Sequence, residues 1–326
     1  MGQGPPAERG AARRARRTTG RAARAAGRET VSTAGRDAIQ AKGWLRAHKW
    51  LLLRRASQLS ILALFLLGPL AGVWIVKGNL SFSYTLDVLP LTDPFVLLQS
   101  LLTRHLPETK AFVGVAVVLV FYALVGGRVF CSWACPVNMV TDAAAWLRSR
   151  LGIKGGAHIS RKTRYWILAM TLVLAAATGT LAWELVNPVS IFHRGLIFGL
   201  GAAWAVILAI FLLELFVMQD GWCGRLCPMG AFYGLLGRVS LFRPAAIRRS
   251  ACNDCMDCFV VCPEPQVIRP ALKGVEGAGP VILAGNCTNC GRCIDVCAKD
   301  VFAFGTRFGN KVEKVSPPAS TMSPAA

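Results

Sequence analysis

The strongest constraint on this chain is a pair of cysteine runs towards its C-terminal end. The first reads Cys252-Asn-Asp-Cys255-Met-Asp-Cys258-Phe-Val-Val-Cys262-Pro263, and the second Cys287-Thr-Asn-Cys290-Gly-Arg-Cys293-Ile-Asp-Val-Cys297. Both have C-x2-C-x2-C-x3-C spacing. Three thiols this close along the chain come from one tight loop, so the fourth corner of a four-thiolate centre must come from outside it. Zinc also uses C-x2-C pairs, but it takes four ligands from two pairs. It has no use for a third Cys at x2 followed by a fourth at x3, twice over. The spacing therefore points to iron–sulfur clusters and to electron transfer.

The paired runs resemble those of bacterial two-cluster ferredoxins. That resemblance implies an α+β domain over residues 245–312 that binds two [4Fe–4S] clusters, each taking its last ligand from the other run. Cys252, Cys255, Cys258 and Cys297 are then expected to hold one cluster, and Cys262, Cys287, Cys290 and Cys293 the other. Ala298 stands where the second run would often have Pro, a residue that shapes the turn and is not a ligand. Residues 313–326 are expected to be a flexible tail. All twelve Cys fall in four groups, the other two being Cys131/Cys135 and Cys223/Cys227. None is scattered, which argues against the disulfide framework of a secreted protein and for a reducing compartment.

Everything before these runs reads as membrane protein. Of 326 residues 54% are hydrophobic, and the mean hydropathy is +0.46. Residues 1–40, rich in Ala, Arg and Gly, read as a disordered basic arm. Residues 41–56 mix Trp44 and Trp50 with Lys and Arg and suit an interfacial segment. Four spans are expected in residues 57–244, at about 57–76, 111–127, 165–183 and 196–218. The predicted fold class is thus a mainly α membrane protein carrying a C-terminal two-cluster domain.

Lys and Arg number fourteen before the first span, then three, seven, one and twelve in the successive connections and the C-terminal part. Rich and poor segments alternate, which places both termini in the cytoplasm of a multi-pass inner-membrane protein. The net charge of +20 is explained by this topology and by contact with membrane lipid. With no aromatic interleaving and no DNA-binding motif, nucleic acid is not expected as a partner.

The membrane part repeats itself. Leu91-Thr-Asp93-Pro94 precedes the second span and Leu185-Val-Asn187-Pro188 the fourth, 94 residues later. Cys131-Ser-Trp-Ala-Cys135-Pro136 follows the second and Cys223-Gly-Arg-Leu-Cys227-Pro228 the fourth, 92 residues later. Two parallel hairpin repeats about an axis along the membrane normal are expected. Cys131, Cys135, Cys223 and Cys227 are candidates for a metal, a third cluster or two thiol–disulfide pairs.

Several further stretches carry a family resemblance: Gly-Trp-Leu-Arg-Ala-His-Lys-Trp (43–50), Pro-Leu-Thr-Asp-Pro (90–94), Phe-Cys-Ser-Trp-Ala-Cys-Pro (130–136), Asn-Pro-Val-Ser (187–190) and Gly-Trp-Cys-Gly-Arg-Leu-Cys-Pro (221–228). With the two cysteine runs, they resemble the NapH family over roughly residues 40–310. These are ferredoxin-type membrane subunits of the quinol dehydrogenase of periplasmic nitrate reductase systems. The resemblance implies ubiquinol as substrate. It also implies a periplasmic iron–sulfur subunit and a membrane-anchored multihaem c-type cytochrome as partners, with periplasmic nitrate reductase served indirectly.

Quinol oxidation needs proton acceptors, and Asp93, Glu184 and His193 near span ends, with Glu214 inside the fourth span, are the quinone-site candidates. His105 and Asn187 lie on the same side. The four His share no motif, so paired haem ligands are not expected. The alternative function is maturation, in which the cluster domain reduces a metal or a disulfide at the C-x3-C-P pairs.

Overall fold

The apolar segments fold as helices, with limits that differ from their hydropathy. A computed structural model describes residues 33–309, except 154, 158, 200, 202, 275 and 276. Residues 1–32 of the expected arm, the expected tail at 313–326 and His158 lie outside the described residues. Arg36–Lys42, also predicted to be largely disordered, is helical. Acids and carbonyls of the C-terminal domain hold it there. Gly35 N donates to Asp257 Oδ2 at 2.8 Å, and Lys42 Nζ donates to the carbonyls of Ile294 and Cys297 at 2.8 and 3.0 Å.

Helix α1, Lys49–Ala71, is long and apolar enough to cross a membrane. Its 23 residues rise about 35 Å, against a hydrocarbon core of about 30 Å. The span expected at 57–76 therefore starts earlier and ends at Ala71, where Gly72 turns left-handed at φ 72°. The expected interfacial segment 41–56 is divided between the turn Trp44–Ala47 and the start of α1. The first-turn amides of a helix lack internal acceptors. Here Trp50 N and Leu51 N donate to the two oxygens of Asp295, each at 3.0 Å.

The connection after α1 forms a three-stranded antiparallel sheet, β1 Val76–Gly78, β2 Phe82–Thr85 and β3 Leu89–Thr92. Its register pairs Val76 with Thr85 and Phe82 with Thr92. Then come α2 Pro94–Leu102, α3 Thr109–Val125, α4 Val137–Arg150, α5 Thr163–Thr178, α6 Pro188–Phe198, α7 Ala203–Leu212 and α8 Pro228–Leu236. The fourth expected span, 196–218, is not one helix. Gly199 at φ 98° ends α6, and α7 starts afresh and runs into the π-helical turn Leu213–Val217. The stretches Thr109–Val125, Thr163–Thr178 and Ala203–Val217 are shorter apolar helices.

One order of elements occurs twice. Asp93 and Asn187 each cap a short helix that begins with Pro, accepting from Phe95 N at 2.7 Å and Val189 N at 3.1 Å. Each short helix is followed by an apolar helix, then a Cys-bearing turn (Val129–Trp133, Trp222–Leu226). A further helix starts at or directly after the Cys-Pro pair.

In the C-terminal domain β4 Phe242–Ala246 pairs antiparallel with β5 Phe302–Thr306. This closes a small core of Ala246, Val267, Ile268, Leu272, Ile282, Val296 and Phe302. It meets the preceding helices where backbones nearly touch: a Cβ on Gly285 would stand on the Gly234 carbonyl of α8. Within the helical part, one on Gly127 would stand on Gly237 N and the Tyr233 carbonyl. Gly127→Ala is expected to lower stability by about 1–3 kcal/mol, read as a lower midpoint in thermal unfolding in detergent.

Candidate functional site

Each cysteine run wraps its thiols around a pocket by the same backbone device. Asp254 and Met256 in the first run have φ 61° and 69°, and Asn289 and Gly291, at the same positions of the second, have φ 49° and 72°. These left-handed turns curl each loop so that its thiols face inward. A one-turn helix follows each, Asp257–Val260 and Arg292–Asp295. Cys252, Cys255, Cys258 and Cys297 line one pocket, and Cys262, Cys287, Cys290 and Cys293 a second. The fold thus brings together the same two crossed sets of thiols that the ferredoxin resemblance implies.

A third pocket is lined by Cys131, Cys135, Cys223 and Cys227. The two C-x3-C-P turns face each other across it. Its remaining walls are largely apolar, among them Phe130, Trp183 and Trp222, and Asn187-Pro188 at the start of α6 closes it on one side. Burial pushes all four thiols above their ordinary range, Cys227 to about 12. Among the described residues, no group of three or more His, Cys, Asp and Glu closes on a point that would hold a single metal ion. Four thiols line each of the three pockets, the donor number that a four-thiolate cluster requires. All three sets therefore suit an iron–sulfur cluster by donor type and number.

Between the second and third pockets lies a buried ion cluster that the cysteine pattern did not reveal. Glu264, two residues after Cys262, is 1% exposed. Its Oε1 accepts from Arg128 Nη1 at 2.8 Å and Arg164 Nη1 at 2.6 Å, and Arg161 Nη1 approaches Oε2 at 3.3 Å. Burial alone would raise its carboxyl; Arg128 and Arg164 outweigh that and hold it below its ordinary value. The same arginines grip backbone on both sides. Arg128 donates to the carbonyls of Cys223 and Asn286, each at 3.0 Å, and Arg164 to that of Gly224 at 3.2 Å. The signals available in the sequence were only Arg128 and Arg164 flanking apolar segments and Glu264 beside a ligand-type Cys.

A cleft of about 860 Å³ opens beside this cluster, with Cys131, Cys223, Cys262 and Cys290 on its wall and Leu52, Met139, Trp146 and Asp220 further round. The four quinone-site candidates do not line it. Asp93 is buried as the α2 cap, and burial raises its carboxyl to about 7. Glu184 accepts from Ser81 Oγ, Asn187 Nδ2 and Ser190 Oγ at 3.2, 2.9 and 2.7 Å. His193 is buried with its ring 5.2 Å from that of Phe65. Glu214 accepts from Gly221 N and Trp222 N at 3.1 and 2.8 Å, steadying the turn that carries Cys223. His105 lies in the turn after α2, where its carbonyl accepts from Ser100 Oγ.

The comparisons with known proteins agree with this geometry. The family described as 4Fe-4S binding domain matches residues 110–154 and again 200–248, the two stretches that hold the C-x3-C-P turns. The family described as 4Fe-4S dicluster domain matches residues 251–301. The chain is 50% identical over 280 residues to the ferredoxin-type protein NapH of Haemophilus influenzae, covering 86% of this chain and 98% of that protein. It is 50% identical over 278 residues to NapH of Escherichia coli strain K12, covering 85% and 96%. It is 53% identical over 277 residues to the methylamine utilization ferredoxin-type protein MauN of Methylorubrum extorquens, covering 85% and 96%. No solved structure matches the chain.

Proposed function

The chain belongs to the family of ferredoxin-type iron–sulfur proteins that includes NapH and MauN, and from that premise we propose that it is the membrane electron-transfer subunit of a quinol dehydrogenase. Electrons pass from ubiquinol towards periplasmic nitrate reductase, through a periplasmic iron–sulfur subunit and a membrane-anchored multihaem c-type cytochrome. The reading places the protein in the bacterial inner membrane, with four crossings as two parallel hairpins and both termini in the cytoplasm. The repeated order of capped short helix, apolar helix and Cys turn supports it.

Cys252, Cys255, Cys258 and Cys297 hold one cluster, Cys262, Cys287, Cys290 and Cys293 a second, and Cys131, Cys135, Cys223 and Cys227 a third centre. Bound iron–sulfur clusters supply one-electron redox chemistry. The chain's part is to hold the sets at fixed separation and keep them dry. The observation that carries the reading is the Glu264–Arg128–Arg164 cluster, which ties the Cys262 loop to the Cys223 turn through buried ion pairs and carbonyl contacts. The cleft is of the size that small ligands occupy, roughly 300–1,000 Å³. It offers an apolar wall for a quinol ring and Asp220 for its hydroxyl protons.

The MauN relatives favour a second reading of the acceptor alone, in which the same route feeds a methylamine-utilization system. Cys223→Ser with Cys227→Ser is expected to abolish quinol-dependent nitrate reduction by membranes, while the periplasmic reductase keeps its full cofactor content. A reductase lacking its cofactors in that strain would instead make this chain a maturation factor. Undiminished nitrate reduction would remove the C-x3-C-P thiols from the route.

A further inference from the structure

We propose that Arg128 and Arg164 are the charge-compensating residues of the centre held by Cys131, Cys135, Cys223 and Cys227. The inference rests on the assignment of a thiolate-bound iron–sulfur centre to that pocket. Four thiolates around a cluster core leave net negative charge, and the pocket walls supplied by Phe130, Trp183, Val189, Trp222 and Met229 give it no counter-charge. Negative charge in so dry a place is stabilised by N–H donors, such as Gly230 N towards Cys227 Sγ at 3.4 Å, and most strongly by buried positive charge.

The two arginines have that charge to spare. Arg128 is 2% exposed and Arg164 0%. They share a single carboxylate, Glu264, with the half-buried Arg161 as a third claimant. Among the described residues, one buried carboxylate thus faces two buried guanidinium groups, a surplus of one positive charge. Donors are left over as well: Arg128 Nε and Arg164 Nε and Nη2 are buried without a hydrogen-bond partner. The atoms that do the structural work, Nη1 of both and Nη2 of Arg128, are different ones. Arg128 donates to the Cys223 carbonyl and Arg164 to that of Gly224, both on the turn that carries two of the four thiols, and Arg128 Nη2 lies against Gly230 in the pocket wall. The surplus charge therefore sits against one wall of the four-Cys pocket.

A cation beside a redox centre favours its reduced form, which carries one more negative charge. The test is an anaerobic potentiometric titration of the full-length protein in detergent, followed by EPR, with iron counted per chain. Arg164→Gln is expected to lower the midpoint of the C-x3-C-P centre by a tenfold or greater change in its reduction equilibrium, about 59 mV for one electron. Arg164→Lys is expected to stay near the parent value. Glu264→Gln, which removes a negative charge and leaves every arginine, is expected to shift the same centre the opposite way. It keeps the question answerable if Arg164→Gln does not load. A purely structural role predicts no such reversal of sign.

A loaded centre whose midpoint ignores Arg164→Gln, or moves the same way in both variants, overturns the inference and leaves the centre standing. Iron content and EPR unchanged by Cys227→Ser overturn the centre itself, and the inference with it.

Discussion

Cys258→Ser and Cys290→Ser, each from a different set, are expected to strip the C-terminal domain of iron and to unfold much of it. The reason is the size of its core. Between β4 and β5 the buried apolar side chains are few, chiefly Val267, Ile268, Leu272, Ile282, Val296 and Phe302. A segment this small rarely gains more than about 3–5 kcal/mol from its apolar core and depends on staples. The clusters are those staples. Their binding free energy is spent on folding, and the left-handed turns at Met256 and Asn289 add strain of about 1–3 kcal/mol each that ligation must offset. Loss of iron together with rapid proteolysis between residues 245 and 309 is the expected result, with α1 and the other apolar helices staying intact. A double variant that keeps its iron and its protease resistance would contradict the ligand sets.

Glu264→Ala carries the second large effect. It leaves Arg128 and Arg164 buried with no carboxylate, and removing one partner of a buried ion pair costs about 3–5 kcal/mol. The loss falls on the contact between the C-terminal domain and the C-x3-C-P turns. Thermal unfolding should therefore show the domain releasing early while its two pockets still hold iron. Because Glu264 and both arginines are buried, added salt should change the wild-type midpoint little, unlike a surface pair. The pH dependence has a definite sign. Glu264 is held below its ordinary value of 4.5. Its contribution is therefore complete above that value and is lost as pH falls through the lower pKa of the folded state.

How much of this was legible depended on the range of the forces involved. The cluster loops could be read from spacing, because three Cys at x2 intervals are a local pattern within one loop. The fourth member of each set comes from the other run and was given by the ferredoxin resemblance. Asp93-Pro94 and Asn187-Pro188 announced their helices in the same local way, as cap and first residue. Apolar content found four helical regions, but not that Gly199 breaks the last one or that residues 76–92 pair into a sheet. Glu214 read as an intramembrane acid, yet its oxygens accept from the Gly221 and Trp222 amides.

The chemistry of the chain was thus determined by its sequence: which thiols are grouped, which segments are apolar, and which residues start a helix. The tertiary structure alone decided where those thiols meet, and what stands between them. Arg128 and Glu264 are 136 residues apart, and Arg164 and Glu264 are 100 apart. Nothing in their local sequence distinguishes a pairing of that range from a solvated surface charge. Only when the apolar helices pack and the C-terminal domain closes on them does burial remove the water that would otherwise satisfy these groups. The Glu264 carboxylate then becomes the join between two of the cysteine pockets.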